Sequence, residues 1–510
     1  MCGWKKRFLS WLSATLMTAT LFLSGCGHGT YNALVIRYYE GGFGSEWLVN
    51  ALEAFGKGRE NFSYRLIPDA NITWQAGMYL RGNDQPDIIM SQGGNWRDYV
   101  ARGYLEPLTE VYEAEVATSD GVKTVEEFLL PEAREKFSMQ RLYGQGETMP
   151  YAMPWSVLPC SLIYNETMLL QTVHTDSGYT VKDLNVGDTW VRPPATVTEL
   201  RAYFADIEAA NGGRTAGDRV APFGWSGDAV NWFSFVMDIW WAQTQGLETP
   251  YLAGEGSFYD FWNFADAGVY RQTGIQTALE TLQSLIVKDG EFCNSVQDPM
   301  SKVTRDIELE FADGKVAVML CGSFFEYEMK DFLDNDGDGE PDFVYKMMLA
   351  PSLDTANPSD TDMLYTTMED VMFIPAGADN KSLAKEFLIF LSSEEQAMAF
   401  SKTTGSMRPF DYNPLELDPG YAWTTFNRSA LELYFDSVVI SEYPKTAESI
   451  SPLYIYKSPT TFSGVDGTTV IYRLRTLTPR QIMIDGAEGY RSVYDMAVEQ
   501  FATWAIELGL

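Results

Sequence analysis

The chain has 510 residues, of which 45% are hydrophobic and 14% aromatic, enough for sizeable cores. A chain of this length exceeds one ordinary core, so two or more globular lobes are expected, and neither a disordered nor a fibrous protein is indicated. The formal net charge of −33 argues against nucleic-acid binding, which needs clustered lysine and arginine. It fits a soluble protein with a self-repelling surface in an extracytoplasmic setting.

The N-terminal segment is predicted to be a secretion signal. Three positive charges at residues 5–7 precede an apolar run over 8–21, and the string LSGC then ends at Cys26. Small residues before a cleavage point are typical of signal peptides, and LSGC resembles the bacterial lipobox, whose cysteine is acylated. We therefore expect a lipoprotein signal peptide over 1–25, lipidation of Cys26, a tether over 26–33 and a lipid anchor in the cell membrane. A plain signal peptide or a signal anchor is the alternative.

Three cysteines remain after the signal, Cys160, Cys293 and Cys321. Their number is odd and their spacing matches no metal site, so buried free thiols are expected. A disulfide between Cys160 and Cys321 stays open, because both lie at proposed crossovers between lobes.

The first hundred residues alternate between strand and helix patterns. Predicted strands cover 34–39, 64–67 and 86–91, and after the glycine-rich turn at 40–44, Ser45 begins a helix with apolar residues at helical spacing. This order indicates an α/β sheet, in which ligands occupy the crevice at the carboxyl ends of the strands. The residues expected at that crevice are Glu40, Gln92 and Trp96.

The apolar stretch over 151–165 is interrupted by Pro154 and Pro159, so it is neither a regular helix nor a central strand. Such a segment suits an extended crossover between two lobes, and a bend between the prolines would expose Trp155 to a ligand. The alternative is an irregular buried strand inside a single domain.

Beyond the crossover, Thr196 and Glu199 form a capping-box pattern that predicts a helix, and the second lobe is expected to be helix-rich. Aromatic residues are densest over 223–241, and most of them must be core. Trp225 and Trp232 are the exceptions, because Trp225 lies beside small and polar residues. An exposed ring there can stack on a sugar while an acid binds a hydroxyl, so at least one of the two is predicted to contact a ligand.

Four segments together resemble the extracellular solute-binding proteins of ABC importers, in the maltose-binding-protein-like group known as family 1. They are PDIIMSQGGNWRDYVARGYLEPLTEVY, YAMPWSVLPCSLIYNETML, FADGKVAVMLCGSFFEY and LAKEFLIFLSSEEQAMAFSKTTGSMRPF, and they cover most of residues 34–410 in the family's order. The resemblance implies an α/β, two-lobed periplasmic-binding-protein-like fold of type II, with discontinuous lobes joined by hinge crossovers. Lobe 1 would comprise 30–155 plus 320–375 and lobe 2 would comprise 160–315 plus 380–510, with crossovers near 151–160, 320–324 and 370–376.

The same resemblance implies a membrane-anchored, monomeric receptor that captures a small solute and delivers it to ABC permease subunits. A mono- or oligosaccharide is favoured, because aromatic plates and polar side chains suit a sugar. No catalysis and no required cofactor are expected. Phe324 stands where the family commonly has a tryptophan, and Arg408 could fork onto hydroxyls or a carboxylate. The predicted ligand contacts are Glu40, Gln92, Trp96, Trp155, Trp225, Trp232, Ser323, Phe324 and Arg408.

Two other functions stay open at this point. A secreted glycosidase or polysaccharide lyase would need two positioned carboxylates, which a chain with 70 acidic residues can always offer. His174 is the only histidine beyond the tether, which leaves little material for a histidine-based triad or a zinc site. A surface lipoprotein without a transport role would be expected to show repeats or runs of short strands.

An acidic loop over 334–342 matches the first half of an EF-hand calcium loop, with glycine at the sixth place. Tyr345 occupies the twelfth place, where a bidentate glutamate would be expected. The site would be structural and remote from the ligand, and the alternative is a solvated acidic turn. The predicted calcium ligands are Asp334, Asp336, Asp338, the carbonyl of Glu340, and Asp342.

Overall fold

A computed structural model describes residues 33–94, 96–142, 145–169, 190, 192–215, 217–262, 272–334, 337, 340–357, 360–441, 460–463, 469–472 and 484. The predicted signal peptide, nearly all of the tether and the predicted lipidation site Cys26 lie outside these residues. None of the helices in this part of the chain has the length and apolarity that a membrane crossing requires.

The first lobe is built on a five-stranded sheet of order β2-β1-β3-β16-β8. Strand β1 runs parallel to β2 and to the central strand β3, while β16 is antiparallel to β3 and β8. The three strands predicted in the first hundred residues, and the helix that follows Ser45, are confirmed, but the Ser45 side chain makes no capping hydrogen bond. The strands are β1 (Ala33–Tyr38), β2 (Ser63–Pro68), β3 (Ile88–Gln92), β8 (Met153–Pro154) and β16 (Asp370–Phe373).

Helices cover this sheet, and α1 packs its apolar face against two helices from much later in the chain. The ring centroids of Phe55 and Phe387 are 5.2 Å apart and those of Trp47 and Phe400 are 5.1 Å apart. The helices are α1 (Glu46–Gly56), α2 (Ile72–Tyr79), α3 (Trp96–Ala101), α4 (Thr109–Tyr112), α5 (Val125–Phe128), α6 (Pro131–Lys136), α14 (Lys381–Leu391) and α15 (Glu394–Thr404). Two hairpins flank them, β4 (Glu115–Thr118) with β5 (Gly121–Thr124) and β6 (Ser138–Leu142) with β7 (Gln145–Pro150).

The second lobe is built on a six-stranded sheet of order β10-β13-β9-β15-β17, with β14 also paired to β9. Strand β9 is buried along its whole length and carries β13 on one side and β14 and β15 on the other. The strands are β9 (Leu158–Asn165), β10 (Ala221–Gly224), β13 (Val316–Gly322), β14 (Tyr345–Met348), β15 (Met363–Thr367) and β17 (Val438–Ser441).

The second lobe is helix-rich, as predicted, and the Thr196 hydroxyl accepts the backbone N–H of Glu199 at the start of α8. The longest helices are α8 (Val197–Ala210), α9 (Ser234–Gln245), α11 (Thr273–Ile286) and α17 (Thr425–Asp436). The shorter ones are α7 (Glu166–Leu169), α10 (Phe258–Trp262), α12 (Thr304–Ala312), α13 (Phe325–Leu333) and α16 (Pro414–Leu417). Two further hairpins are β11 (Val287–Lys288) with β12 (Glu291–Phe292) and β18 (Thr460–Ser463) with β19 (Thr469–Tyr472).

The first crossover lies within the predicted stretch, because β8 ends at Pro154 in one sheet and β9 begins at Leu158 in the other. The prediction that this stretch is not a central strand is wrong for Leu158–Asn165, because β9 contains Pro159 and pairs on both sides in the middle of the second sheet. The predicted assignment of 320–375 to lobe 1 is wrong for most of its length. Strand β13 pairs with β10 on one side and β9 on the other, so it stays inside the second sheet and the predicted crossover at 320–324 does not exist. The chain returns at 368–369, between β15 and β16, just before the predicted 370–376.

The predicted assignment of 380–510 to lobe 2 is wrong for the first part of this range, which belongs to lobe 1. Helices α14 and α15 pack on α1 of the first lobe through the phenylalanine and tryptophan contacts given above. Further along, β17 pairs with β15 in the second sheet, so the later part of this range does return to lobe 2. The chain therefore crosses between the lobes again after α15.

Cys160, Cys293 and Cys321 are free thiols; Cys160 and Cys321 are buried, and Cys293 is half-buried. In the β9–β13 pair, Cys160 stands opposite Gly322 and Cys321 stands opposite Ser161. Because side chains alternate between faces along a strand, the two thiols project from opposite faces of the sheet. The geometry therefore excludes the disulfide that the sequence left open, unless one strand shifts its register.

Candidate ligand-binding cleft

The two lobes meet where the loop after β1 contacts the turn after β13. The rings of Phe43 and Phe324 are 6.3 Å apart in an edge-to-face arrangement. Gly42 lies so close to the same phenylalanine that a Cβ built on it would be 2.7 Å from the ring. Glycine therefore lets the first-lobe backbone approach the second lobe here. Phe324, a predicted ligand contact, is half-buried at this junction, and Glu40 is exposed at the start of the same loop.

Trp155 lies in the first crossover and is held between aromatic residues of the first lobe. Its ring stacks on Trp47 with centroids 5.2 Å apart and planes inclined by 20°, and Phe43 and Phe400 contact it edge-on. Only 5% of Trp155 is exposed, so the bend between the prolines does not present this ring to solvent in this structure. Its indole N–H has no hydrogen-bond partner among the described residues.

The buried carboxylate of Asp370 lies beside the first crossover and beside the return of the chain at 368–369. The Ser156 hydroxyl donates to Oδ2 of Asp370 at 2.5 Å, and Asp370 stands opposite Gln92 in the β3–β16 pair. Burial raises the pKa of Asp370 to about 7; the Ser156 hydrogen bond opposes this shift and the charge of Glu369 adds to it. Gln92 itself is exposed at the carboxyl end of β3. The predicted residue thus lies at the sheet edge that faces the crossovers.

A pocket in the second lobe brings Trp225 and Trp232 together. It lies at the carboxyl end of β10, contains about 250 Å³ of empty space including space open to solvent, and is also lined by Ser226, Thr304 and Glu308. Trp225 is buried against Phe292 and other rings, whereas Trp232 is half-buried. The enclosed part of this space is about 10 Å³, room for about one water-sized group, whereas typical ligand pockets hold roughly 300–1,000 Å³, so a sugar would need the walls to move apart.

One acidic residue, Glu308, lines this pocket. Glu308 is 2% exposed, and its Oε2 lies 3.4 Å from Nη1 of Arg305. Burial raises the pKa of Glu308, the charge of Glu328 raises it further, and Arg305 opposes the shift. Behind the lining residues Ser226 and Thr304, Asp228 accepts the Ser226 hydroxyl at 2.6 Å and the backbone N–H of Thr304 at 3.0 Å.

Glu308 was not among the predicted site residues, although the sequence carried a signal for it. Thr304, Glu308 and Phe311 follow the spacing i, i+4, i+7, so the glutamate lies on the same face of α12 as a core phenylalanine. A glutamate on a buried helix face is rarely found without a partner. The pattern therefore marks Glu308 as unusual even without the structure.

Three predicted contacts are buried in the interior of this structure. Trp96 stacks on Phe137 in the first-lobe interior, with ring centroids 5.7 Å apart. Arg408 is fully buried, and its Nη1 donates to the carbonyl of Leu391 at the end of α14, while its Nε and Nη2 have no hydrogen-bond partner among the described residues. Ser323 is also buried, and its hydroxyl lies 2.5 Å from that of Ser406. The burial of these three residues results from tertiary packing, which the spacing of residues along the sequence does not reveal.

The acidic loop over 334–342 is described only in part. Asp336 and Asp338, two of the predicted calcium ligands, lie outside the described residues. The backbone N–H of Gly337 donates to Asp334 at 2.6 Å, and Gly337 has a φ of 80°, a conformation that favours glycine. Among the described residues, no three histidine, cysteine or acidic side chains form a potential metal site. The calcium site stays a prediction.

The two α/β lobes, joined by extended crossovers, define the class of two-lobed solute receptors. Residues 76–414 match the family described as bacterial extracellular solute-binding protein, and because this span exceeds half of the chain, the chain belongs to that family. Its members are binding receptors of ABC importers and are not enzymes. The match is to family 8 of these proteins, whereas the sequence motifs indicated family 1. No curated protein sequence matches the chain.

Solved structures share the fold at low sequence identity. The solute-binding protein RafE in complex with raffinose has a TM-score of 0.60 and 12% identity, over 92% of this chain and 99% of that chain. The GacH receptor of Streptomyces glaucescens, solved unliganded and with acarbose, has a TM-score of 0.58 and 16% identity, over 94% and 99%. Apo RafE from Streptococcus pneumoniae has a TM-score of 0.57 and 13% identity, over 93% and 100%. These likenesses confirm the predicted two-lobed α/β fold.

Proposed function

We propose that this solute-binding protein captures a neutral mono- or oligosaccharide between its lobes and delivers it to its ABC permease. The observation that carries the proposal is the pocket where Trp225 and Trp232 lie with the buried carboxyl of Glu308 and the hydroxyl residues Ser226 and Thr304. A sugar ring offers apolar C–H faces to aromatic rings and a circle of hydroxyls to polar groups, so this combination suits it. The raffinose and acarbose complexes of the two structural neighbours are consistent with this choice.

Closure of the lobes would complete the site. Trp232 and Phe324 lie edge-to-face with ring centroids 6.1 Å apart, and Phe324 in turn contacts the first-lobe loop. A solute held against Trp232 would therefore lie next to the contact that joins the lobes. Binding energy gained there would favour the closed arrangement, which a permease can distinguish from the open one.

The proposal is tested by binding measurements on the purified chain without its first 26 residues. Thermal shift and calorimetry against raffinose, maltose, acarbose and monosaccharides should identify at least one sugar that raises the melting temperature, because a ligand of the native state stabilises it by mass action. Putrescine, galacturonate and short peptides form the comparison set. A shift with one of these and none with any sugar would contradict the proposal, and no shift at all would favour a lipoprotein without a transport role.

We further propose that the mature protein is a monomer attached to the outer face of the cell membrane by lipid on Cys26. The lipobox-like LSGC string supports this proposal. Cys26→Ser should move the protein from the membrane fraction to the medium or the periplasm, because one acylated cysteine is the anchor. Equal membrane retention of the variant would contradict lipidation at this residue.

A further inference from the structure

We propose that the pocket between Trp225 and Glu308 selects a hydroxyl group of the solute, with the indole N–H as donor and the carboxyl as acceptor. This inference rests on the proposed sugar-binding function and deepens it. It assigns specificity to two residues inside the second lobe, behind the aromatic surface on which a sugar ring would stack.

The first observation is an unsatisfied donor. Trp225 is 3% exposed and lines the pocket, and its Nε1 has no hydrogen-bond partner among the described residues. Buried donors are nearly always paired, because leaving one unpaired loses its hydration without replacement. Phe233 and Phe292 hold the ring in place, with centroids 5.2 and 5.0 Å away. An acceptor that reached Nε1 would satisfy the indole.

The second observation is the carboxyl of Glu308, which lines the same pocket and is 2% exposed. Its contact with Arg305 is long, at 3.4 Å, and involves a single oxygen. The same Arg305 nitrogen lies 3.9 Å from Glu328, so the cation is shared between two carboxylates. Glu308 therefore keeps capacity to accept a hydrogen bond from a solute.

The chemistry of these two groups discriminates between solutes. An ammonium group only donates hydrogen bonds, so it would leave the Trp225 N–H unpaired. A hydroxyl both accepts and donates, so it can satisfy the indole N–H and also pair with the Glu308 carboxyl, whose pKa is raised by burial, whether that carboxyl accepts or donates. The pocket thus favours a hydroxylated solute over an amine.

Trp232 supplies the surface for the rest of the solute. It is half-buried, and Phe235 stacks on its ring with centroids 5.7 Å apart and planes inclined by 22°. A sugar ring could lie against the uncovered part of this indole while one of its hydroxyls enters the pocket. The two tryptophans therefore have separate tasks: Trp232 provides a stacking surface and Trp225 provides a donor.

The test compares Trp225→Phe, which keeps an aromatic ring but removes the N–H, with Glu308→Leu, which removes the acceptor at similar size. Calorimetry uses the tightest-binding sugar from the panel above. Trp225→Phe and Glu308→Leu should each weaken binding about two- to tenfold, the range expected for a hydrogen bond between uncharged groups. Putrescine should not displace the sugar from the wild-type protein.

Trp423→Phe is the matched control, because Trp423 is also buried, its Nε1 also has no partner among the described residues, and it does not line the pocket. It should bind the sugar like the wild type. If Trp225→Phe and Glu308→Leu also bind it unchanged, the inference is wrong while the proposed function stands. If one variant does not fold by circular dichroism, the other decides. Binding of putrescine in place of every sugar would overturn both.

Discussion

The contact between Gly42 and Phe324 offers a way to separate the lobes with one methyl group. A Cβ on Gly42 would lie 2.7 Å from Cδ2 and 2.9 Å from Cβ and Cγ of Phe324, whereas ordinary contacts begin at 3.4 Å. Two of these atoms lie close to the phenylalanine backbone, so rotation of the ring cannot remove the overlap. Gly42→Ala should therefore push the first-lobe loop away from the second lobe.

The size of the effect follows from overpacking, which costs about 1–3 kcal/mol for added methyl groups in well-packed sites. If the lobes relieve this strain by opening, the closed arrangement loses the same free energy and solute affinity falls about 5- to 150-fold. Small-angle scattering of the unliganded protein should show a larger radius of gyration for Gly42→Ala than for the wild type. Calorimetry with the bound sugar measures the loss of affinity.

Gly217→Ala is the matched control, because a Cβ at Gly217 meets no atom within 4 Å and the residue lacks a positive φ. It should change neither the radius of gyration nor the affinity. In a Phe324→Ala background, Gly42→Ala should cause a smaller loss of solute affinity, since two of the three atoms nearest to the added Cβ are then absent. Wild-type scattering and affinity for Gly42→Ala would refute the reasoning, because they would mean that the loop adapts without moving the lobes.

Three further predictions concern the hinge, the core and the acidic loop. The pKa of Asp370 is raised from 3.8 to about 7, so ionisation destabilises the folded protein progressively as the pH rises from about 4 to 7, by up to about 4 kcal/mol. Urea unfolding should therefore show that Asp370→Asn becomes more stable relative to the wild type at pH 8 than at pH 4.5, and an equal difference at both pH values would contradict this. Phe400→Ala should lower the free energy of unfolding by about 3–5 kcal/mol, because the ring is 2% exposed and contacts Trp47 and Phe43. The control Phe332→Ala, at a position that is 37% exposed, should change the free energy of unfolding by less than about 0.5 kcal/mol. Calcium at millimolar concentration should raise the melting temperature of the wild type but not of Asp334→Asn, and a wild type that does not respond would leave the loop as a solvated turn.

Local features of the sequence determined much of this fold. The strands and helix of the first hundred residues, the cap at Thr196 and the proline-interrupted crossover each depend on residues within a few positions of one another. Side-chain periodicity, capping and the rigidity of proline act over that distance, so a pattern can predict them.

Only the tertiary structure decided which sheet contains β13 and which of the predicted site residues are buried. An apolar strand that pairs on both sides suits the interior of either sheet, so Val316–Gly322 carries no local mark of which one it joins. Trp96 and Arg408 are buried. Trp96 packs on Phe137 and Arg408 donates to Leu391, and neither partner is a near neighbour in the sequence. Burial depends on what the rest of the chain places around a residue, and periodicity along the chain does not contain that information.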